Sequence, residues 1–294
     1  MAPEDQHQNW GAEALWRQLS PLLPGISVEV LARLESTNTE LLDRARAASR
    51  RSDAPGGHGR RSDDTQACLL VAEHQTRGRG RLGRGWVASP GASLTFSLLL
   101  PLAPVAWSGL SLAVGSALAE ALEPGGTRIG LKWPNDLWLM DGPGRGRKLG
   151  GVLIETVSIG AQRMAVVGVG LNVLPQADAD TAGLSQGLAH VCELDPAASA
   201  PAVLAMVAGP LVQALQGFEA EGFPSFRAAF ARRDLLAGQA LLTLGTDTPV
   251  RGQGEGVGPD GALLLRSADG SLHRLVSGEV SVRLAGSASD PTPC

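Results

Sequence analysis

Lys132-Trp-Pro-Asn-Asp136 brings a cation, an amide and a carboxylate into five residues. Pro134 restricts Trp133 to an extended backbone, which predicts Lys132 at a strand end and Asn135-Asp136 in the following turn. An ordinary Asn-Asp turn with a flanking lysine accounts for the same spacing. The lysine is notable because only Lys132 and Lys148 are lysines among 25 basic residues. A chain that spells nearly every cation as Arg keeps a Lys by chance, or where a compact, rotatable ammonium serves and a planar fork does not. Lys148 stands in Arg147-Lys148-Leu-Gly-Gly151, where paired glycines at a strand start suggest a ligand against bare backbone. Gly168-Val-Gly-Leu-Asn172 repeats the device, and tight strand packing explains it equally well.

Gln75 to Trp86 holds four Gly and four Arg. Gly78-Arg-Gly80-Arg-Leu-Gly83 spells G-x-G-x-x-G after a strand, but Pro90, Gly91 and another strand follow where a dinucleotide fold starts a helix. The glycines let backbone N–H groups approach an anion, and Arg79, Arg81 and Arg84 add bidentate donors. The other readings are a solvated basic turn and an RNA-binding Arg-Gly segment, which is normally long and repetitive.

These segments need strands and helices to hold them. A strand is expected over Ile26–Leu34, then a helix opened by a Thr37-x-x-Glu40 capping box. Further strands are expected over 67–72, 93–100, 128–133, 137–140, 151–157 and 164–173. Helices are expected near Ala14–Leu19 and over Gly109–Leu122, Pro201–Glu221 (kinked at Gly209-Pro210) and Pro224–Leu236. From Gly238 five short strands at tight spacing suggest a small antiparallel barrel. Residues 1–25 read as an N-terminal extension, 26–237 as a catalytic domain, 238–285 as the barrel and 286–294 as a disordered tail. Residues 49–65 read as a mobile surface insertion.

The 294 residues exceed the usual ~100–150 of one domain. A formal net charge of −4 provides no field favouring nucleic acid or an anionic membrane. No signal peptide is evident, and no apolar run is expected to reach the ~20 residues of a membrane span. Cys68, Cys192 and Cys294 are too scattered for a disulfide framework or a zinc site, which points to a reducing cytoplasm.

Ser36-Thr-Asn38, Gln75 with Gly78-Arg-Gly-Arg-Leu-Gly-Arg84 and Trp86, Lys132-Trp-Pro-Asn-Asp136, Lys148-Leu-Gly-Gly151 and Gly168-Val-Gly-Leu-Asn172 resemble the motifs of biotin protein ligases, in that family's order. Gly278-Glu-Val-Ser-Val-Arg283 is similar to its closing strand. The resemblance spans roughly Ser36 to Leu284. It implies an α+β fold: a mixed β-sheet backed by helices, of the biotinyl/lipoyl-transferase, class II synthetase-like kind, followed by an SH3-like barrel.

The implied activity is ATP-dependent formation of biotinyl-5'-adenylate and biotin transfer to a lysine of a biotin carboxyl carrier protein of the acetyl-CoA carboxylase type. The alternatives are a lipoate ligase and a non-catalytic RNA-binding protein. By resemblance, Ser36, Thr37, Asn38, Gln75, Gly78, Arg79, Gly80, Arg81, Lys148 and Gly151 would bind biotin. Arg81, Arg84, Trp86, Asn135, Asp136 and Asn172 would bind ATP, with Trp86 as a stacking plane. Lys148, Asp136, Arg81 and Lys132 would carry the catalysis, Asp136 as base or positioner for the acceptor lysine. Mg²⁺ is implied, with unassigned ligands. The loop is expected to order on ligand binding, when Arg79 and Arg81 gain anionic partners. Only 35 residues precede Ser36, fewer than the ~50 of a small domain, so a monofunctional form without DNA binding is expected, as monomer or homodimer.

Overall fold

Ser27–Leu34 forms β1 and Cys68–Gln75 forms β2, a parallel pair at one edge of a seven-stranded sheet. Across the sheet follow β5 (Ser93–Pro101), β9 (Gln162–Asn172), β8 (Arg145–Ile159), β7 (Asp136–Gly142) and β6 (Ile129–Lys132), each antiparallel to its neighbour. β3 (Gly78–Arg79) and β4 (Gly85–Trp86) form a separate small hairpin. The computed structural model describes residues 8–52, 66–142, 145–176, 187–244, 249–276 and 281–284. Most of the expected 49–65 insertion and the C-terminal tail lie outside them.

The central strands read apolar almost continuously because both faces of the sheet are covered. Leu69, Val71, Leu98 and Val167 face the main core with α1 (Ala12–Leu19), α3 (Leu110–Leu122) and α4 (Ala200–Glu221). Cys68, Leu70, Leu99 and Val166, the alternate positions, pack on Leu41, Leu42 and Ala45 of α2 (Thr37–Ser52). Trp10, Leu15 and Leu19 belong to the main core, so the N-terminal segment from there is part of the domain rather than an appendage. α4 is long and apolar enough to cross a membrane by length and composition, contrary to the expectation that no run reaches that size. Val203, Leu204, Val207, Leu211 and Leu215 are buried in the main core.

Two elements differ from expectation for a visible reason. β8 starts at Arg145 because β7 pairs with it across Arg145–Gly151. In place of a helix over Pro224–Leu236 there is a 3-10 turn, Phe223–Phe226, and a short α5, Arg227–Ala231. The chain then runs along the outer edge of β6, with Leu131 N–H donating to Arg233 O and Leu235 N–H to Leu131 O. The edge strand's backbone groups are satisfied by extending this segment. The nearly buried Arg233 holds it, donating to Glu120, Glu123, Ile129 O and Glu123 O.

β10 (Ala240–Leu244), β11 (Arg251–Val257), β12 (Leu263–Arg266), β13 (Leu272–Leu275) and β14 (Ser281–Leu284) make the second unit, an antiparallel sheet in the order β13-β12-β11-β10-β14. It matches the expected small β-unit. Among the described residues β13 and β14 do not pair, so no closed barrel is formed. Leu241, Val257, Leu263 and Leu265 join the main core, and Ser108 Oγ donates to Asp260 O at 2.6 Å.

Candidate active site

The N-terminus of α2 meets the sheet beside β5 and β9. Glu40 N–H donates to Ser36 O, and Ser36 Oγ is a long 3.5 Å from Thr39 N, so Ser36 occupies the cap position expected for Thr37. Thr37 is engaged instead by Gln75, whose Oε1 accepts from Thr37 N at 2.7 Å. Thr37 Oγ1 lies 2.7 Å from Ser97 Oγ, which donates to Asn38 Oδ1 at 2.6 Å. Asn38 Nδ2 donates to Leu153 O and to Glu155 Oε2, at 3.2 and 3.0 Å. Ser97 and Glu155 were not among the expected site residues, because neither lies in a recognisable motif.

The glycines of β9 have a definite role. Gly168 lies under Asn38, and a Cβ there would collide with the amide. A Cβ at Gly170 would stand 2.5 Å from Trp86 Cε2, so the indole lies flat on bare β9 backbone. They admit side chains of this protein, which sets the Trp86 indole against β9 in the cavity wall. Gly78 lies directly against Trp86 O, outside the cavity lining, so the hairpin closes only with Gly there.

The Lys132-to-Asp136 corner is held from three sides. Trp133 is 2% exposed and its Nε1 donates to Gly261 O of the second unit at 3.1 Å. Pro134 O accepts from Ser111 Oγ of α3 at 2.8 Å. Asn135 exchanges bonds with Val152 of β8, through Nδ2 to Val152 O and Val152 N to Asn135 O. Asp136 pairs with Gly151, and its Oδ1 accepts from Lys148 Nζ at 2.8 Å. Lys148 Nζ also stands 5.8 Å from the Trp86 ring centroid, and Lys132 Nζ 4.7 Å from that of Trp138.

A cavity of about 300 Å³ joins these parts. Ser36, Thr37, Asn38 and Gln75 line its neutral end; Arg79, Gly80, Arg81, Arg84 and Trp86 line its hairpin side; Lys132, Asn135, Asp136, Lys148 and Gly151 line its far end. Phe96, Val152, Leu153, Gly168 and Val169 add apolar or bare wall that the motifs had not flagged as site residues. Asn172 is 1% exposed and lies outside the lining; its Nδ2 donates to Lys148 O at 3.2 Å and fixes the β8 backbone from behind. Its place is therefore supportive, in contrast to the nucleotide contact expected. The wall is short of anions for its cations. Burial lowers the pKa of Lys132, as do neighbouring Lys148 and Arg84, while Asp136 opposes them. Arg81 is likewise lowered by burial and by Arg84, against Asp136. Such a set favours an anionic ligand.

Arg79 departs from expectation. It is already paired with Glu155, Nη2 to Oε1 at 2.9 Å, and Glu155 in turn holds Asn38. Arg81 Nη1 reaches toward Asn135 Oδ1 at 3.5 Å. Among the described residues no cluster of three His, Cys, Asp or Glu side chains forms a metal cage.

Known proteins are similar to this chain in sequence and fold. The biotin/lipoate A/B protein ligase family matches residues 58–172, and the biotin protein ligase C terminal domain matches residues 241–283. The chain is 34% identical over 273 residues to the bifunctional ligase/repressor BirA of Escherichia coli (strain K12), covering 92% of this chain and 78% of that protein. It is 30% identical over 251 residues to a biotin–[acetyl-CoA-carboxylase] ligase of Paracoccus denitrificans, covering 82% and 95%. The structure of a biotin protein ligase from Aquifex aeolicus in complex with biotin and ATP is similar with a TM-score of 0.66 and 26% identity, over 88% of this chain and 99% of that one. The chain belongs to the biotin protein ligase family.

Proposed function

We propose that this chain activates biotin with ATP and transfers it to a lysine of a biotin carboxyl carrier protein of the acetyl-CoA carboxylase type. The observation that carries the reading is the polarity of one cavity: neutral hydrogen-bonding groups at the α2 end, cations at the other, and an indole plane beside them. Biotin has the matching order, a ureido ring, an apolar body and a carboxylate. Ser36, Thr37 and Gln75 face the ring; Gln75 Nε2 is available because Oε1 is spent on Thr37. Arg81, Lys132 and Lys148 face the carboxylate and phosphate, and Trp86 offers a stacking plane to the adenine.

In the first step a biotin carboxylate oxygen attacks the α-phosphorus of ATP, the bond to the bridging oxygen breaks and pyrophosphate leaves. Two anions must meet, and the cations at the far end neutralise both. Mg²⁺ enters as Mg·ATP, coordinated mainly by phosphates, as that ion ordinarily is in nucleotide sites. In the second step the acceptor amine attacks the acyl carbon, the acyl–oxygen bond breaks and AMP leaves. The amine's proton goes to Asp136, whose Oδ2 remains after Oδ1 takes Lys148.

The test is Mg·ATP-dependent incorporation of biotin into a carrier domain, beside lipoate as competitor. Biotin labelling alone is expected. Equal or faster turnover of lipoate would overturn the assignment.

A further inference from the structure

Gly151, Leu153 and Glu155 alternate onto one face of β8, the side that meets α2. Gly151 and Leu153 line the cavity, and the half-buried Glu155 stands just past it, outside the lining. Its carboxylate serves two donors at once: Oε2 accepts from Asn38 Nδ2 at 3.0 Å and Oε1 from Arg79 Nη2 at 2.9 Å. Beyond Asn38 the line of contacts continues inward through Ser97 to Thr37, all three of them buried. The two chemical steps proposed above use neither Glu155 nor Ser97.

We propose that Glu155 is a positioning residue for biotin: its carboxylate fixes the Asn38 amide and, through Ser97, turns the Thr37 hydroxyl into an acceptor for a ureido N–H. The inference rests on the function proposed above. The two ends of an amide have nearly the same shape, so its partners decide which way it lies. The Glu155 carboxylate and Leu153 O can only accept, which turns Nδ2 toward them and Oδ1 toward Ser97. Ser97 has one hydroxyl proton, and Asn38 Oδ1 takes it at 2.6 Å. Ser97 Oγ is then left to accept from Thr37 Oγ1 at 2.7 Å. Gln75 Oε1, farther off at 3.1 Å, already has the Thr37 N–H. With its proton spent, Thr37 offers the cavity lone pairs, while Gln75 Nε2 offers a donor. A ureido group presents the complement, N–H beside C=O. An amide at position 155 would meet Asn38 and Arg79 with a single oxygen, so one of the two donors would face an NH2 group instead.

The test reads each substrate separately in the full chain. Glu155→Gln keeps shape and size but loses an acceptor. Its biotin KM in ATP–pyrophosphate exchange is expected to rise roughly tenfold, the effect of one unsatisfied buried hydrogen bond. The ATP KM is expected to stay within about twofold, since the bonds of Glu155 reach only Asn38 and Arg79. Ser97→Ala cuts the same line one step further in, and serves should the first variant fold poorly. Its biotin KM is expected to rise equally, and the double variant to match the single ones, because both act on one relay. An unchanged biotin KM in either folded variant overturns the proposal. So does a double variant whose effect is the product of the two, since Glu155 would then act by another route. Biotin and ATP KM rising together would overturn it as well, as the mark of a site distorted throughout. Absence of biotin-dependent exchange in the wild type would instead sink the proposed function.

Discussion

Lys148→Ala separates chemistry from folding. Lys148 reaches Asp136 at 2.8 Å with about a third of its side chain still exposed (32%), so the pair contributes ~0–1 kcal/mol to stability. For a domain this size that is a fall in Tm of at most about 2–4 °C. The backbone around it stays fixed, because Ala189 N and Asn172 Nδ2 both donate to Lys148 O, whatever the side chain. Catalysis has more to lose. An ammonium aimed at charge that develops on the acyl and phosphoryl oxygens is worth about 3–4 kcal/mol, so biotin-dependent pyrophosphate exchange should fall ~10²–10³-fold. Lys148→Arg should recover only part of this. A Cβ at Gly151 would stand 3.2 Å from Asp136 Oδ1 and 3.7 Å from Lys148 Nζ, so the ammonium lies close over bare backbone in a space a planar fork does not fill. Exchange kinetics with thermal melts of the same samples measure both quantities. An Arg variant at wild-type rate would show that charge alone matters, and an Ala variant near wild type would remove Lys148 from the mechanism.

Arg81→Gly should barely change folding, since Arg81 is half-buried in a hairpin outside both hydrophobic clusters. It should release biotinyl-adenylate faster and label lysines of an unrelated protein such as albumin; tight retention with no extra labelling would mean that the hairpin does not guard the intermediate. Asp234 is half-buried, with its Oδ2 shielded from solvent, and burial raises its carboxyl pKa against N–H bonds from Leu236 and Ala237. A raised folded pKa means stability that is present below the ordinary carboxylate pKa and lost as pH rises through the folded value. Asp234→Asn should remove that loss, so the variant gains Tm relative to wild type from acid toward neutral pH. An identical pH dependence of Tm in the two proteins would refute the assignment.

The sequence by itself determined the chemistry and most of the elements that carry it. Fourteen of the expected site residues line one cavity, from Ser36 at the neutral end to Lys148 at the charged end; the family resemblance named them, and for Lys132, Lys148 and the Arg-Gly loop residue type and spacing pointed the same way. Alternation and helical spacing are local properties, so β2, β5, β9, α3 and α4 were legible within a few residues. What tertiary structure decided is partnership across the chain. Whether Thr37 caps a helix depends on Gln75, 38 residues away, whose carbonyl takes its N–H. Whether Arg79 is free for a ligand depends on Glu155, further along β8 than the Lys148-Leu-Gly-Gly151 motif and outside it. The helical pattern after Pro224 yielded because β6 had an open edge to fill, and the Gly168 and Gly170 signal proved to be room for Asn38 and Trp86. Asn172 was read as a ligand contact, yet it holds the Lys148 backbone from the far side of the strand. A spacing shows that a polar group faces inward; only the neighbours it meets there decide whether it binds substrate or braces the residue that does.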